Sequence, residues 1–192
     1  MARIGIYGGS FNPIHRGHIA LAKLFLQAMN LDDVWILVSP QNPFKQYAGD
    51  MLSDERRLEL VQLAIANEPH LIATDYELKL PTPSYTWRTL QALSRDYPST
   101  EFVLLIGADN WLSFDRWYHG QDIIDRYPIA IHPRRHYPID ATTLPPTVTL
   151  LDTPLYDISS TEIRSRVHQG LPIDGMVSEE IAPLVIKYYT KS

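Results

Sequence analysis

The sequence predicts an α/β fold: one domain with a mostly parallel sheet, helices on both faces and a small helical part at the end of the chain. Three observations predict it. Short apolar runs of strand length alternate with helical stretches. A glycine-rich loop directly follows the first of those runs. No linker long enough to separate two domains interrupts the 192 residues, a length that can bury one substantial core. In open parallel sheets, ligands gather at the carboxyl ends of the strands, so the loops there carry the functional reading.

Ile4 to Tyr7 reads as a short buried strand. After a Gly/Asn/Pro-rich loop, His18 to Met29 is almost wholly apolar apart from Lys23 and Gln27, which leave one narrow exposed stripe on a buried helix. Val34 to Val38 is a continuous apolar run suited to a strand covered on both faces. Pro40 and Pro43 mark a loop. Ser53 caps a helix reaching about Asn67, with Asp54 and Glu55 in its first turn. Leu71 to Thr74 follows as a strand and Thr86 to Asp96 as a helix. Phe102 to Ile106 is the clearest strand; it ends at Gly107 and gives way to Ala108-Asp109-Asn110 and a short helical pattern. Ile129 to His132 and Val148 to Leu151 are further strands, and helices from about Ser160 to His168 and Glu179 to Tyr189 close the chain.

Composition narrows the function classes. Hydrophobic residues at 45% and charged residues at 20% match a soluble globular protein and exclude a disordered tail or fibrous repeat. The opening Met1 to Gly9 has too short an apolar run for a signal peptide. No segment approaches the roughly 20 apolar residues of a membrane span, so no membrane partner is expected. With no cysteine, disulfides and thiolate metal sites are excluded, and the reducing cytoplasm is the natural setting. A net charge of -5 gives no general attraction for nucleic acid. Positive charge for an anionic substrate must then be local, at Lys45, Arg56, Arg57, Arg88, Arg134-Arg135-His136 or Arg164-Arg166-His168, most of which read as solvated surface residues. Homo-oligomer formation is left open by the sequence.

Gly8-Gly9-Ser10-Phe11-Asn12-Pro13-Ile14-His15-Arg16-Gly17-His18 is the most informative segment. Adjacent glycines let backbone approach a ligand, and the loop delivers His15 and His18 to a helix start, where free N–H groups and the macrodipole favour phosphate. Two imidazoles there can donate to phosphoryl oxygens as charge develops, with Gly17 leaving room for the ligand. Half of a metal site is the rival reading, but no third ligand is suggested nearby. The run lacks the Gly-Lys-Ser/Thr ending of a P-loop and is not Gly-x-Gly-x-x-Gly.

This run resembles the signature of the His-x-Gly-His nucleotidyltransferase superfamily, specifically its bacterial nicotinate mononucleotide adenylyltransferases. The resemblance implies a single Rossmann-like nucleotidyltransferase domain over 1–192, its helical end running from about 158. It also implies that Gly8, Gly9, Ser10, Phe11, His15 and His18 face ATP while Asn12 faces a pyridine mononucleotide.

A second signature is Ile158-Ser159-Ser160-Thr161-Glu162-Ile163-Arg164. Read alone, Ser159 and Glu162 form a capping box. Arg164 has no evident protein partner, and a cation so near a helix N-terminus makes sense with an anion between them. The segment is similar to the family's Ile-Ser-x-Thr-x-Ile-Arg motif, which implies that Ser160, Thr161 and Arg164 hold the outer phosphates of ATP and that Ile158 lies in the ATP site. Gly107-Ala108-Asp109-Asn110 ends the best strand, where an acid can accept from ribose hydroxyls or cap a helix. The family's Gly-x-Asp implies the former for Gly107 and Asp109.

Substrate choice falls to Pro83-Ser84-Tyr85-Thr86 and Trp117. A pyridinium ring needs an aromatic face, and a carboxylate needs donors such as helix-start amides. By resemblance Ser84, Tyr85 and Thr86 supply the latter and Trp117, beside Tyr118, the former; taken alone, a Trp is more often a core residue. Many relatives follow Ser-Tyr-Thr with an apolar residue and an acid, where this chain has Trp87-Arg88. Lys45 and Arg134 resemble phosphate-binding positions more loosely.

The implied reaction joins the AMP moiety of ATP to nicotinate mononucleotide, giving deamido-NAD and pyrophosphate. No general base is needed, because a phosphate monoester with a second pKa of about 6 is already largely dianionic. His15 and His18 act at the α-phosphate, Ser160 and Arg164 on the pyrophosphate, and Mg2+ rides mainly on ATP phosphates with few protein ligands. Phosphopantetheine adenylyltransferase is the nearest rival, but its loop reads Thr-Phe-Asp-Pro and it lacks the Ser-Tyr-Thr and Trp features. A non-catalytic nucleotide sensor is the other, and both histidines with Arg164 argue against it.

Overall fold

The computed structural model describes residues 1–41 and 50–190. Among them six strands form one sheet: β1 (Ala2–Gly9), β2 (Asp33–Val38), β3 (Leu71–Thr74), β4 (Thr100–Gly107), β5 (Ile129–His132) and β6 (Val148–Leu150). Their order is β3-β2-β1-β4-β5-β6, and every neighbouring pair is parallel. That is the Rossmann order, in which the winding reverses between β1 and β4 and opens a crevice at their carboxyl ends.

Around the sheet run α1 (Arg16–Ala28), α2 (Asp54–Ala64), α3 (Thr86–Asp96), α4 (Ala108–Leu112), α5 (Gly120–Arg126), α6 (Ser160–His168) and α7 (Ala182–Tyr189). The two-residue alternation of β4 divides the core. Val103 and Leu105 join Phe25 of α1, Leu60 of α2, Ile163 of α6 and Val185 of α7 on one face. Phe102, Leu104 and Ile106 join Trp87, Leu90 and Leu93 of α3 and Ile123 of α5 on the other. Burial on both faces is what a parallel strand with continuous apolar sequence requires. No helix of the described residues is long and apolar enough to cross a membrane.

Most boundaries fall where the pattern puts them, and the departures have local causes. β1 runs on through the glycines, because Gly8 and Gly9 pair with Leu37 and Val38. The last helix begins at Ala182 rather than Glu179. Pro183 has no N–H to give, so it is tolerated only in a first turn. α2 stops at Ala64, short of Asn67, and α5 and a 3-10 segment at Tyr76–Lys79 were not anticipated. Only half of the expected capping box forms: Ser159 Oγ accepts from Glu162 N at 3.0 Å, while the Glu162 carboxylate lies toward Arg166 at 4.0 Å.

Candidate active site

The two histidines are held by the helix they start. His15 is the N-cap of α1, and its Nδ1 accepts from Gly17 N at 3.1 Å and His18 N at 3.4 Å. In return His18 Nδ1 accepts from His15 N at 3.1 Å, and the rings stack with centroids 3.6 Å apart. Each Nδ1 is therefore an acceptor without a proton, which puts the single proton of the neutral ring on Nε2. Burial pushes His15 down to about 4. Burial first, then the charges of His15, His132 and Arg134, hold His18 well below its ordinary value. Near neutral pH the pair thus presents two uncharged Nε2–H donors whose orientation is already fixed.

This corrects two expectations. The first amides of α1 are not free for phosphate: Gly17 and His18 bond to His15 Nδ1, Arg16 N donates to Met176 O at 2.9 Å and Ile19 N to His15 O at 3.3 Å. Gly17 makes room for the His15 ring rather than a ligand, since a Cβ there would lie 2.9 Å from His15 Cε1 and 3.3 Å from Tyr156 Cβ. Gly8 behaves oppositely. A Cβ on it would meet nothing within 4 Å, so packing among the described residues does not demand glycine there.

The loop between β1 and α1 is stapled from behind. Arg57, expected among the surface cations, is fully buried. Its Nη1 donates to Ser10 O at 2.7 Å and Ser39 O at 2.8 Å, its Nε donates to Leu52 O at 3.0 Å, and Nη2 pairs with the Asp54 carboxylate. Asn12, expected to face the mononucleotide, is spent inside the protein instead. Its Nδ2 donates to Asp50 O at 2.9 Å, and its Oδ1 accepts from Leu52 N and from the Tyr189 hydroxyl. Phe11 is buried, with its ring edge-on to His18 at 5.0 Å.

The second signature docks onto this loop. Arg164 Nη1 donates to Asn12 O at 2.8 Å and Nη2 to Thr161 Oγ1 at 3.4 Å, while Ser160 Oγ donates to Pro13 O at 2.9 Å. Arg164 therefore has protein partners, contrary to expectation, although its Nε is buried with no acceptor. Ile158 packs against the core beside it. The structure brings Ser160, Thr161 and Arg164 together with the 10–18 loop across more than 140 residues of chain, as the Ser160 to Pro13 separation of 147 shows.

At the ends of β4 and β5 lies a third group. Asp109 is not a cap; Gly107 occupies that position in α4 without a side-chain bond. Asp109 Oδ1 is buried with no hydrogen-bond donor, and Arg134 Nε stands 3.6 Å away. A Cβ on Gly107 would lie 3.1 Å from His132 Nε2 and 3.0 Å from Arg134 Cδ, so these groups crowd one strand end. Burial, then Arg134, lowers His132 to about 4. Among the described residues no three His, Asp or Glu side chains gather as a metal cage. Lys45 lies outside the described residues.

Between β1 and β4 sits a cavity of 160 Å³ whose wall includes Gly8, Gly9, Glu77, Thr86, Asn110 and Trp117. Tyr85 is the N-cap of α3 and no side chain caps that helix start, leaving first-turn donors there. The Tyr85 ring lies 4.8 Å from Tyr118, and Arg88 sits over both at 5.2 Å. The unusual Trp87-Arg88 pair is thus resolved into a core indole and a surface cation on two tyrosines. Ser84, expected to touch the mononucleotide, donates its hydroxyl to Glu77 Oε1 at 2.5 Å. A larger open depression of 390 Å³ on the far side of α1, with Arg16, Lys23, Glu68 and Glu179 on its rim, contains none of the predicted residues.

Glu77 and His132 were missed by sequence reasoning, and Arg57, named only among the cations, was missed as the buried staple of the loop. His132 carried a usable signal, a histidine at the carboxyl end of an apolar strand; Glu77 and Arg57 carried none.

Comparison with known proteins agrees with this geometry. Residues 6–166 match the cytidylyltransferase-like family. A probable nicotinate-nucleotide adenylyltransferase of Bacteroides fragilis is 47% identical over 171 residues, 89% of this chain and 85% of that protein. One of Bacteroides thetaiotaomicron is 41% identical over 191 residues, 99% of this chain and 94% of that protein. The solved Plasmodium falciparum nicotinic acid mononucleotide adenylyltransferase complexed with NaAD superposes with a TM-score of 0.81 over 98% of this chain and 96% of that one. At 20% identity that likeness is one of fold. The chain belongs to the cytidylyltransferase-like family, and within it to the nicotinate-nucleotide adenylyltransferases.

Proposed function

We propose that this enzyme transfers the AMP part of ATP to the 5'-phosphate of nicotinate mononucleotide, forming nicotinate adenine dinucleotide and releasing pyrophosphate. The observation that carries the reading is one strand end serving two purposes. Gly8 and Gly9 line a cavity with Trp117 and the uncapped start of α3, and from them the chain runs directly to the paired imidazoles.

An oxygen of the mononucleotide phosphate attacks the α-phosphorus of ATP, the bond from that phosphorus to the bridging oxygen breaks, and its electron pair leaves with pyrophosphate. The attacking group is already a dianion, so the protein's task is positioning and neutralisation. His15 and His18 donate from Nε2 to the α-phosphate oxygens as charge shifts onto them. Arg164 and Thr161 face the leaving phosphates, and Asp109 Oδ1 offers the acceptor that ribose hydroxyls need. Among the described residues the strand ends offer one carboxylate, Asp109, as a donor toward a metal; Mg2+ carried in with ATP would supply neutralisation of phosphate charge.

Trp117 is the residue on which the substrate assignment turns. An indole stacked on a pyridinium is worth about 0.5 to 2 kcal/mol. Trp117→Ala should therefore raise KM for the pyridine mononucleotide roughly threefold to thirtyfold with little change for ATP. Nicotinate and nicotinamide forms should lose affinity by a similar factor; collapse of the preference between them would give Trp117 another role. The function itself is tested by product analysis with nicotinate mononucleotide, nicotinamide mononucleotide and phosphopantetheine offered in parallel with ATP. Turnover of the first above the others is expected, and preferred turnover of phosphopantetheine would overturn the reading.

A further inference from the structure

We infer that Glu77 is the counter-ion of the pyridinium ring, a carboxylate set into the wall of the mononucleotide cavity that favours rings carrying the fixed positive charge of an N-ribosylated pyridine. The inference rests on the reading of that cavity given above. Among the described residues lining it, Glu77 is the one ionisable side chain; the others are glycines, aliphatics, hydroxyl residues, Asn110 and Trp117.

Its hydrogen-bond partners are hydroxyls that bring no positive charge of their own. Ser84 Oγ donates to Oε1 at 2.5 Å and Thr89 Oγ1 to Oε2 at 3.4 Å, and the Ser39 hydroxyl donates as well. No ion pair forms between Glu77 and a cation of the described residues, and the neighbouring Lys79 is engaged with Asp75 at 3.1 Å. Burial raises the carboxyl above its ordinary value, and the three hydroxyl donors oppose that push. A half-buried carboxylate whose partners among the described residues are all neutral leaves a charge uncompensated there, which is costly unless something positive completes the site. The ligand that the cavity takes brings such a charge, because the ring nitrogen of a pyridine nucleotide is quaternary at every pH. Ser39, Ser84 and Thr89 come from three separate segments, so Glu77 also gathers the ends of β2, the 81–85 loop and α3 around that charge. The ring's carboxylate is left to the start of α3.

The test separates charge from shape. Nicotinamide mononucleotide and its reduced form have the same phosphate, ribose and amide, but only the first has a cationic ring. Both are measured as competitive inhibitors against nicotinate mononucleotide. Glu77→Gln keeps the size and an oxygen acceptor for Ser84. It should weaken the cationic inhibitor roughly threefold to thirtyfold while the reduced one and KM for ATP stay within a factor of about two. Glu77→Asp, which retains the charge, should keep the preference for the cationic ring, and thermal melts establish that both variants are folded. Equal weakening of the two inhibitors would make Glu77 a structural residue and overturn the inference. So would tighter binding of nicotinate mononucleotide by Glu77→Gln, which would mean that the carboxylate repels the substrate. A wild-type protein that forms no dinucleotide at all would instead remove the functional reading on which the inference rests.

Discussion

Replacing His18 with alanine should lower kcat by roughly a hundredfold or more while ATP still binds, the cost of losing one donor from a preorganised anion site. The magnitude follows from how the donor is prepared. His18 Nδ1 is occupied by His15 N, so Nε2–H points onward without a tautomeric choice, and burial keeps the ring neutral. Such a donor needs no reorganisation when charge builds on the phosphate. The substitution also removes the ring stacked on His15 at 3.6 Å, so His15 loses support and the loss exceeds that of an isolated hydrogen bond. The measurement is pyrophosphate release under saturating substrates, with ATP binding followed separately. Near-normal kcat in a folded variant would take His18 out of the mechanism.

The second large effect is on stability and comes from Arg57. Truncation to alanine should cost about 3 to 5 kcal/mol, because it takes the guanidinium from the Asp54 carboxylate, removes the donor of the Ser10 and Ser39 carbonyl oxygens, and leaves Leu52 O with the Gln41 amide only. At about 2 to 4 °C per kcal/mol for a chain of this size, the melting temperature should fall by roughly 10 °C. Lysine should not rescue it, since one ammonium cannot reproduce a planar fork aimed at separate carbonyls. Thermal melts of the wild type, Arg57→Ala and Arg57→Lys check this. A variant as stable as the wild type would mean that the bonds of Asn12, Ser160 and Arg164 suffice to hold the loop after β1.

The parts of this molecule that were legible in the sequence are those whose cause is local. Strand-length apolar runs follow from burial on both sheet faces, and Leu71 to Thr74, Thr86 to Asp96 and Ser160 to His168 come out residue for residue. The glycine pair and the histidines three apart lie within eleven residues, so their spacing alone sets them at one strand end and one helix start. Contacts between distant segments were not legible. Arg57 reaches Ser10 across 47 residues and Tyr189 reaches Asn12 across 177, and no periodicity encodes either. For that reason Arg57 reads as a surface cation and Asn12 as a ligand. The Ser84 hydroxyl bond was illegible for the same cause, because its partner Glu77 stands on a 3-10 segment too short for a pattern. Pro183 is different: its position forbade a helix start at Glu179, and the signal was there to be used.

What is transferred is the adenylyl group: the α-phosphorus of ATP passes to the mononucleotide and the β- and γ-phosphorus leave together. ATP labelled at the α-phosphorus, incubated with the protein and nicotinate mononucleotide, tests that transfer most directly. The label should appear in the dinucleotide, one per pyrophosphate released, while label placed at the γ-phosphorus leaves entirely with pyrophosphate. Label retained in ADP, or γ-label found in the product, would contradict the account.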